Sequence, residues 1–491
     1  MKHCFILLIL TAIICLPCLA QNQAPTTATG GLSQTNRTSF KFSFGPGKVA
    51  PGYTQVLPSS AYTDDISYGF DTDSSVTAVD RGGDDPLLAG FCTSDKLFFF
   101  SVAVPEGNYK VTVTLGDSQG QSMTTIKAEA RRLMLERVHT DSGKFDTRSF
   151  MVNVRTPKMP PGNSIKLNTR EWDAQTDEAV TRTWDDKLTL QFCDERPCVC
   201  ALEIEKADNA VTVFLVGDST VTDQPREPYG TWGQMLSRWF KPPAAIANHA
   251  ESGETLKAFR SQQRWDKVMN QMRPGDYVFM QLGHNDLNKT GHDGIWPRDD
   301  TMGDWAYTHS EANTDYKWLL AAYAVEVKRR GGIPVIVSPM TKIDIRSGQI
   351  NLAGLGDYPK AAVEAAQMAG AACIDLNAMS VELCNALGTN LDRGAYVDGL
   401  HTNTYGAYLL SRCIVEGIKK AKLDLTKYLA DDAGAFDIKN PQPLPDDFKL
   451  PLEPNPMGGF GFGPSRGRGA PTPETAPTNP RPLNNTRSRE N

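Results

Sequence analysis

The spacing of hydrophobic and polar positions divides the chain into two parts with different periods. Between Lys41 and Asp208, short segments of alternating apolar and polar residues are separated by turns rich in Gly, Pro and Asp, a pattern typical of antiparallel strands. The clearest of these segments are 98–104, 108–115, 149–154, 187–192 and 199–204. We therefore predict an all-β sandwich domain over residues 41–208, with hairpins closed at Pro105-Glu106-Gly107 and at Gly116-Asp117-Ser118.

From Asn209 onward, apolar strands alternate with helical stretches. The predicted strands are 211–216, 244–248, 276–282, 333–338 and 371–376, and the predicted helices are 231–240, 254–272, 310–330, 358–369, 377–386 and 404–422. The first strand, from Val211 to Val216, contains no charged residue, which indicates burial on both faces. Because such alternation implies βαβ crossovers, we predict an α/β domain over residues 209–428 with a five-stranded parallel sheet and helices on both faces.

The two ends of the chain have compositions unlike either domain. Residues 1–20 combine Lys2 with an apolar run and a cleavage-like Cys18-Leu19-Ala20, which predicts a signal peptide and therefore export to the periplasm or the extracellular space. Residues 21–40 are rich in Thr, Gln, Ser and Asn and are predicted to be a flexible linker. Residues 429–491 are predicted to be an extension followed by a disordered Pro/Gly/Arg-rich tail.

Size, charge and cysteine content narrow the class of protein. A chain of 491 residues is too long for one ordinary core and fits two domains with tails. Its net charge of −6 does not favour nucleic-acid binding. Three of the ten cysteines lie in the predicted signal peptide, and the other seven are Cys92, Cys193, Cys198, Cys200, Cys373, Cys384 and Cys413. An odd number in an exported protein leaves at least one free or intermolecular thiol, and we favour one or two optional disulfides over a metal site.

Chemically informative residues follow several predicted strands of the second domain. Ser219 follows the first strand in Gly217-Asp218-Ser219, Gly253 follows the second, Asn285 follows the third, and Asp398 with His401 precede the last helix. A parallel sheet brings its strand ends to one edge. Each of these residues alone is also a common turn or helix-entry residue. Together, in this order, they predict one site.

These sequence blocks resemble the SGNH (GDSL-type) hydrolase superfamily. The wording Gly217-Asp-Ser-Thr220, Gly283-His-Asn-Asp286 and Asp398-Gly-Leu-His401 is most similar to its rhamnogalacturonan acetylesterase branch, carbohydrate esterase family 12. The resemblance covers roughly residues 209–425 and implies a flavodoxin-like, three-layer αβα fold. The β-rich part resembles, more loosely, a galactose-binding-like domain. Such sandwiches often bind sugars, but a purely structural role fits equally well.

The resemblance also implies a role for each site residue. Ser219 would be the nucleophile, His401 the general base, and Asp398 the residue that orients the imidazole. The backbone N–H groups of Ser219 and Gly253, together with the side-chain amide of Asn285, would form the oxyanion hole. No metal and no organic cofactor is indicated.

The substrate prediction depends on a long loop between Asn285 and Ser310. Its aromatic residues Trp296, Trp305 and Tyr307 stand among polar residues, a composition suited to sugar rings, although solvent exposure or hydrophobic anchoring would also account for it. We predict deacetylation of an acetylated plant cell-wall polysaccharide, with rhamnogalacturonan I in pectin as the expected substrate. We predict no nucleic-acid partner and no membrane span in the mature chain. An exported lipase or thioesterase of the same fold and a non-catalytic carbohydrate-binding protein remain alternatives.

Overall fold

The computed structural model describes residues 37–167, 172–173, 178–179, 182–287, 309–343, 354–388 and 394–452. The predicted signal peptide, residues 21–36 of the predicted linker, the predicted substrate contacts Trp296, Trp305 and Tyr307, and the tail from residue 453 lie outside the described residues. None of the helices in these ranges has both the length and the apolar content that a bilayer-crossing segment needs.

The first part of the chain is built almost entirely from strands. They are β1 (Ser39–Phe44), β2 (Thr54–Val56), β3 (Tyr68–Phe70), β4 (Thr77–Asp80), β5 (Gly90–Thr93), β6 (Phe98–Ala103), β7 (Gly107–Asp117), β8 (Ser122–Ala128), β9 (Arg132–Thr140), β10 (Lys144–Val154), β11 (Lys158–Met159), β12 (Asn163–Ser164), β13 (Trp172–Asp173), β14 (Glu178–Ala179), β15 (Lys187–Cys193) and β16 (Cys198–Lys206). One sheet has the order β10-β7-β16-β1-β2, with β5 joined to β16 and β4 to β5, and the other has the order β3-β6-β15-β8-β9. The predicted β-sandwich is confirmed.

Aromatic side chains fill the space between the two sheets. Phe42 and Phe44 of β1 approach Phe100 of β6 edge-on, with ring centroids 5.2 and 5.1 Å apart. All three rings are almost fully buried. Because positions 42 and 44 share one face of a strand, the alternation in the sequence translates directly into this core.

The two predicted hairpins are wrong. β6 pairs with β3 and β15, whereas β7 pairs with β10 and β16, so the turn at Pro105-Glu106-Gly107 joins strands of different sheets. The turn after Gly116-Asp117-Ser118 likewise connects β7 to β8 of the opposite sheet. Alternation reports which face of a strand is buried but not which strand lies beside it, and a short turn can also cross the roughly 10 Å between packed sheets.

The second part has the predicted α/β architecture. Its strands are β17 (Val211–Gly217), β18 (Ala244–Asn248), β19 (Tyr277–Gln281), β20 (Ile333–Val337) and β21 (Ala372–Ile374). Its helices are α1 (Trp232–Leu236), α2 (Leu256–Ser261), α3 (Arg264–Gln271), α4 (Lys317–Arg329), α5 (Tyr358–Ala369), α6 (Leu376–Leu387) and α7 (Thr404–Lys420), with short 3-10 segments at Ser237–Trp239, Asp424–Tyr428 and Pro445–Asp447 and a π-helical turn at Ala312–Tyr316. All strands are parallel, in the order β18-β17-β19-β20-β21.

The interior strand β17 is buried on both faces, as its uninterrupted apolar run predicts. Val213 and Leu215 pack with residues of α1, α6 and α7. Phe214 and Val216 pack on the opposite face with residues of α2, α3, α4 and α5. The parallel sheet is therefore the middle of three layers, and the carboxyl ends of its strands form one edge.

Two segments depart from the predicted boundaries. The helix predicted over 254–272 is broken between α2 and α3, because Gln263 has a left-handed φ of 65° that interrupts the helical path. The segment after Leu429, where the sequence indicated little structure, packs against α7 as far as Leu450. There the ring of Phe448 lies 5.2 Å from that of Tyr405, and Leu450 is buried.

The predicted disulfides are also wrong, because all seven cysteines of the described residues are free thiols. Cys198 and Cys200 lie two positions apart on β16, whereas Cys193 ends β15 in the other sheet. A disulfide requires suitably oriented side chains a few ångströms apart. Closeness in sequence does not supply that geometry in these strands.

Candidate active site

Ser219 lies just beyond the carboxyl end of β17, at the edge where parallel sheets present functional groups. The chain turns sharply there: a Cβ added to Gly217 would lie 2.5 Å from the Val221 side chain and 3.0 Å from the carbonyl oxygen of Gln281. Only glycine fits so close an approach. Ser219 itself is 8% exposed.

The side chains of Ser219, His401 and Asp398 form one hydrogen-bonded chain. Ser219 Oγ lies 2.8 Å from His401 Nε2, and His401 Nδ1 lies 2.8 Å from Asp398 Oδ2. Because a carboxylate only accepts, Nδ1 carries the proton and Nε2 is left to accept from the serine hydroxyl. The structure therefore brings together the three residues that the sequence predicts to be catalytic.

Asp398 is held in place by its own loop. Its Oδ1 accepts backbone N–H bonds from Leu400 and His401, both at 2.7 Å. Burial by itself would raise the pKa of the Asp398 carboxyl, but the hydrogen bond and charge of His401 and these backbone donors outweigh it, so the pKa lies below its ordinary value. The carboxylate form, which the imidazole needs as its partner, is favoured.

Gly253 and Asn285 lie in adjoining loops at the same edge of the sheet. Gly253 has a φ of +86°, a left-handed conformation that favours glycine. Asn285 Nδ2 donates to the carbonyl oxygen of Glu254 at 3.0 Å, which fixes the side-chain amide beside the Gly253 loop. Thr255 then caps α2 by accepting from the Ala258 N–H at 3.1 Å.

The sequence did not predict a buried pair formed by His284 and by Asp218, the residue that precedes Ser219. His284 Nδ1 lies 2.9 Å from Asp218 Oδ2, and His284 Nε2 lies 2.9 Å from the carbonyl oxygen of Met340. Burial would raise the pKa of Asp218, but the charge and hydrogen bond of His284, with two bonds from Thr220, keep the pKa below its ordinary value. Each ring nitrogen of His284 therefore faces a buried oxygen acceptor. The signal was present in Gly283-His-Asn-Asp286, but only the asparagine was assigned a role.

Two residues of the loop after Ser219 were also missed. Gln224 Nε2 donates to the carbonyl oxygen of Ser219 at 2.9 Å. The ring of Tyr229 meets the imidazole of His401 edge-on, with centroids 5.9 Å apart and an interplanar angle of 89°. Nothing in this polar loop distinguished them in the sequence, because the contact of Gln224 with Ser219 and that of Tyr229 with His401 form only when the chain folds.

The described residues contain no cluster of three or more His, Cys, Asp or Glu side chains placed to hold a metal ion. The side chains around Ser219 instead provide a hydroxyl, an imidazole, a carboxylate and an amide. That combination suits acyl transfer through a serine.

Comparison with protein families agrees with this geometry. A family model described as GDSL-like Lipase/Acylhydrolase family matches residues 215–409, a range that contains all five predicted catalytic and oxyanion residues. A second model, Beta-agarase/YXIM esterase-like, galactose-binding domain-like, matches residues 40–146. The chain carries a GDSL-type acylhydrolase domain behind a galactose-binding-like domain.

Similar proteins of Bacillus subtilis (strain 168) share this GDSL domain. The uncharacterized esterase YxiM is 27% identical over 402 residues, covering 78% of this chain and 91% of that protein. The rhamnogalacturonan acetylesterase RhgT is 27% identical over 242 residues, covering 46% of this chain and 96% of that protein. The crystal structure of YxiM covers 79% of this chain and 99% of its own at 24% identity, with a TM-score of 0.39. With its GDSL domain, this chain is a carboxylic ester hydrolase.

Proposed function

We propose that the chain removes acetyl groups from an acetylated pectic polysaccharide, rhamnogalacturonan I, by a serine-hydrolase mechanism. The observation that carries this proposal is the unbroken hydrogen-bonded chain from Ser219 Oγ through His401 to Asp398. A serine hydroxyl is a weak nucleophile until a base removes its proton. In this arrangement the base already faces that proton.

In the acylation step, Ser219 Oγ attacks the carbonyl carbon of the acetyl ester while its proton passes to His401 Nε2. The resulting imidazolium is stabilised by Asp398, which also keeps the ring in the productive orientation. The bond between the acetyl carbonyl carbon and the sugar oxygen then breaks, and His401 returns the proton to the sugar oxygen. Water repeats the sequence on the acetyl-enzyme, releasing acetate and restoring the Ser219 hydroxyl.

The developing negative charge on the carbonyl oxygen needs donors that are already in place. We assign this role to the backbone N–H groups of Ser219 and Gly253 and to the side-chain amide of Asn285. The bond from Asn285 to the Glu254 carbonyl uses one N–H of the amide, and a primary amide has two. Each donor of this kind contributes about 3–4 kcal/mol to stabilising the transition state.

The names of the relatives support the substrate class. RhgT is named a rhamnogalacturonan acetylesterase, and YesY, 26% identical over 222 residues, a probable one. The predicted contacts Trp296, Trp305 and Tyr307 would offer aromatic faces to sugar rings. The predicted signal peptide would place the enzyme outside the cytoplasm, where plant polysaccharides are met.

The proposal is tested by measuring acetate release from acetylated rhamnogalacturonan, acetylated xylan and a long-chain acyl ester under the same conditions. We expect turnover to be highest on acetylated rhamnogalacturonan. Ser219→Ala is the control: it should lose hydrolysis of all three substrates while retaining affinity for the polysaccharide. A preference for the long acyl chain would contradict the assignment and favour a lipase.

A further inference from the structure

The turn between β8 and β9 of the sandwich carries a buried arginine that reaches into the GDSL domain. The side chain of Arg131 is 4% exposed. Its Nη1 donates to the carbonyl oxygens of Gln224 at 3.1 Å and Tyr229 at 2.9 Å. Its Nη2 donates to the carboxylate of Glu227 and, at 3.3 Å, to the hydroxyl of Thr404. One guanidinium thus contacts both the loop after Ser219 and the start of α7.

These two segments also meet each other where Arg131 binds them. Thr404 Oγ1 donates to Glu227 Oε2 at 3.0 Å. The Gly230 N–H donates to the carbonyl oxygen of Thr402 at 2.9 Å, and the Thr402 hydroxyl donates back to the Gly230 carbonyl at 2.8 Å. Arg131 therefore braces an existing junction between the segment that follows the serine and the segment that follows the histidine.

The residues that Arg131 binds through their carbonyl groups are in direct contact with Ser219 and His401. Gln224 donates to the backbone carbonyl of Ser219, and the ring of Tyr229 lies edge-on against the His401 imidazole. Gln224 is the single residue between the Arg131 guanidinium and Ser219, and Tyr229 is the single residue between it and His401. A displacement of either segment would change the distance between Ser219 Oγ and His401 Nε2.

The turn that presents Arg131 has an unusual backbone. Glu129 and Arg131 have left-handed φ values of 54° and 63°, which are uncommon for residues other than glycine. Such conformations persist where the surroundings hold them. Between the two, the carbonyl oxygen of Ala130 accepts from Gln234 Nε2 at 2.7 Å, which ties the turn to α1.

We propose that Arg131, a residue of the β-sandwich, is a positioning residue for the esterase site. It holds the segment that follows Ser219 and the segment that follows His401 at a fixed relative position. This inference rests on the proposed roles of Ser219 and His401. Arginine is required because its planar fork satisfies several acceptors in fixed directions, whereas lysine supplies a single point charge. The β-sandwich is thereby a working part of the catalytic architecture.

The test compares Arg131→Lys with Glu106→Gln in the full-length chain. Glu106 pairs with Lys267 at 2.8 Å and also joins the sandwich to the GDSL domain, but its carboxylate contacts neither site segment. On a small aryl acetate ester, Arg131→Lys should lower kcat about tenfold with KM nearly unchanged. Glu106→Gln should leave kcat at the wild-type value. Equal kcat values for Arg131→Lys and the wild type, or equal losses in both variants, would overturn the proposal.

Hydrogen exchange measured by mass spectrometry provides a readout that needs no catalysis. Arg131→Lys should raise amide exchange in segments 220–231 and 394–404, whereas a rise spread over the whole chain would indicate a merely structural role and overturn the proposal. If Arg131→Lys does not fold, Thr404→Val serves instead, because it removes the hydroxyl that accepts from Arg131 and donates to Glu227 but keeps the Arg131–Glu227 pair. Retained activity in Ser219→Ala would refute the proposed catalytic roles, whatever the exchange pattern.

Discussion

Ser219 Oγ and His401 Nε2 lie 2.8 Å apart, although the two residues are separated by 182 positions in the sequence. The serine follows β17, an interior strand of the sheet, and the histidine precedes α7 by three positions. The fold therefore creates the contact. Because the Asp398 carboxylate accepts from His401 Nδ1, the other ring nitrogen, Nε2, is the one that accepts from the Ser219 hydroxyl.

Replacing Asp398 with Asn should lower kcat by about 10⁴-fold while the chain stays folded. Two backbone N–H groups bind Oδ1 of Asp398, so the carbonyl of the new amide would take that position and its NH₂ would face His401 Nδ1. The imidazole would then carry its proton on Nε2 and could not accept one from Ser219. Steady-state kinetics with an aryl acetate measure the loss, and a variant within tenfold of the wild type would contradict this role for Asp398.

Activity should fall on the acid side, because a protonated imidazole cannot accept the proton of Ser219. The measurement is kcat/KM against pH with an uncharged ester, so that the ionisation of the substrate does not contribute. Circular dichroism at each pH establishes that the chain remains folded. A flat profile between pH 5 and pH 8 would argue against a histidine base.

Gly253→Ala and Gly52→Ala form a matched pair. Their φ values are +86° and +84°, so a side chain should cost either site about 1–2 kcal/mol of stability through backbone strain. A Cβ at Gly52 would meet nothing within 4 Å. Only Gly253→Ala should also lower kcat, by about 10²-fold, because it displaces a proposed oxyanion donor. Equal kcat values in the two variants would remove Gly253 from the oxyanion hole.

His284→Gln should destabilise the fold by about 3–5 kcal/mol at pH 7, because it leaves the Asp218 carboxylate buried without the imidazole that binds its Oδ2. The control is His139→Gln, whose half-exposed side chain lies 3.9 Å from Asp141 and should contribute less than about 1 kcal/mol. Urea unfolding followed by tryptophan fluorescence gives both values. Similar stabilities for the two variants would contradict the Asp218–His284 pairing.

The same pair predicts a dependence on pH. Since the folded-state pKa of Asp218 is lowered, its contribution to stability is present above the ordinary aspartate value of about 3.9 and is lost as the pH falls through the folded-state value. The difference in unfolding free energy between wild type and His284→Gln should therefore narrow as the pH is lowered below about 4. A constant difference would mean that Asp218 does not titrate with the pair.

The sequence predicted the layers of the fold and the residues of the candidate triad because both leave local marks. The charge-free run from Val211 to Val216 indicates burial on both faces, and the residues around Ser219 and His401 match recognisable sequence motifs. Strand pairing leaves no such mark. The turn at Pro105-Glu106-Gly107 is compatible with a hairpin and with a crossing between sheets, and only the packing of the other strands decides.

Residues whose contacts form only in the tertiary structure could not be predicted from the sequence, for a related reason. Arg131 is one arginine in a turn, and its acceptors come from positions 224–229 and 404. His284 stood beside Asn285 in a recognised block, but its partners, Asp218 and the Met340 carbonyl, lie 66 and 56 positions away. Neither spacing nor composition encodes such contacts.

The most direct test of a serine nucleophile is to trap its acyl intermediate. An acid-quenched reaction with an activated acetate ester, followed by digestion and mass spectrometry, should show one acetyl group on the peptide that contains Ser219 and none in Ser219→Ala. His401→Ala should reduce the rate at which this adduct forms. Rapid turnover by Ser219→Ala, or an acetyl group carried only on another residue, would contradict the account.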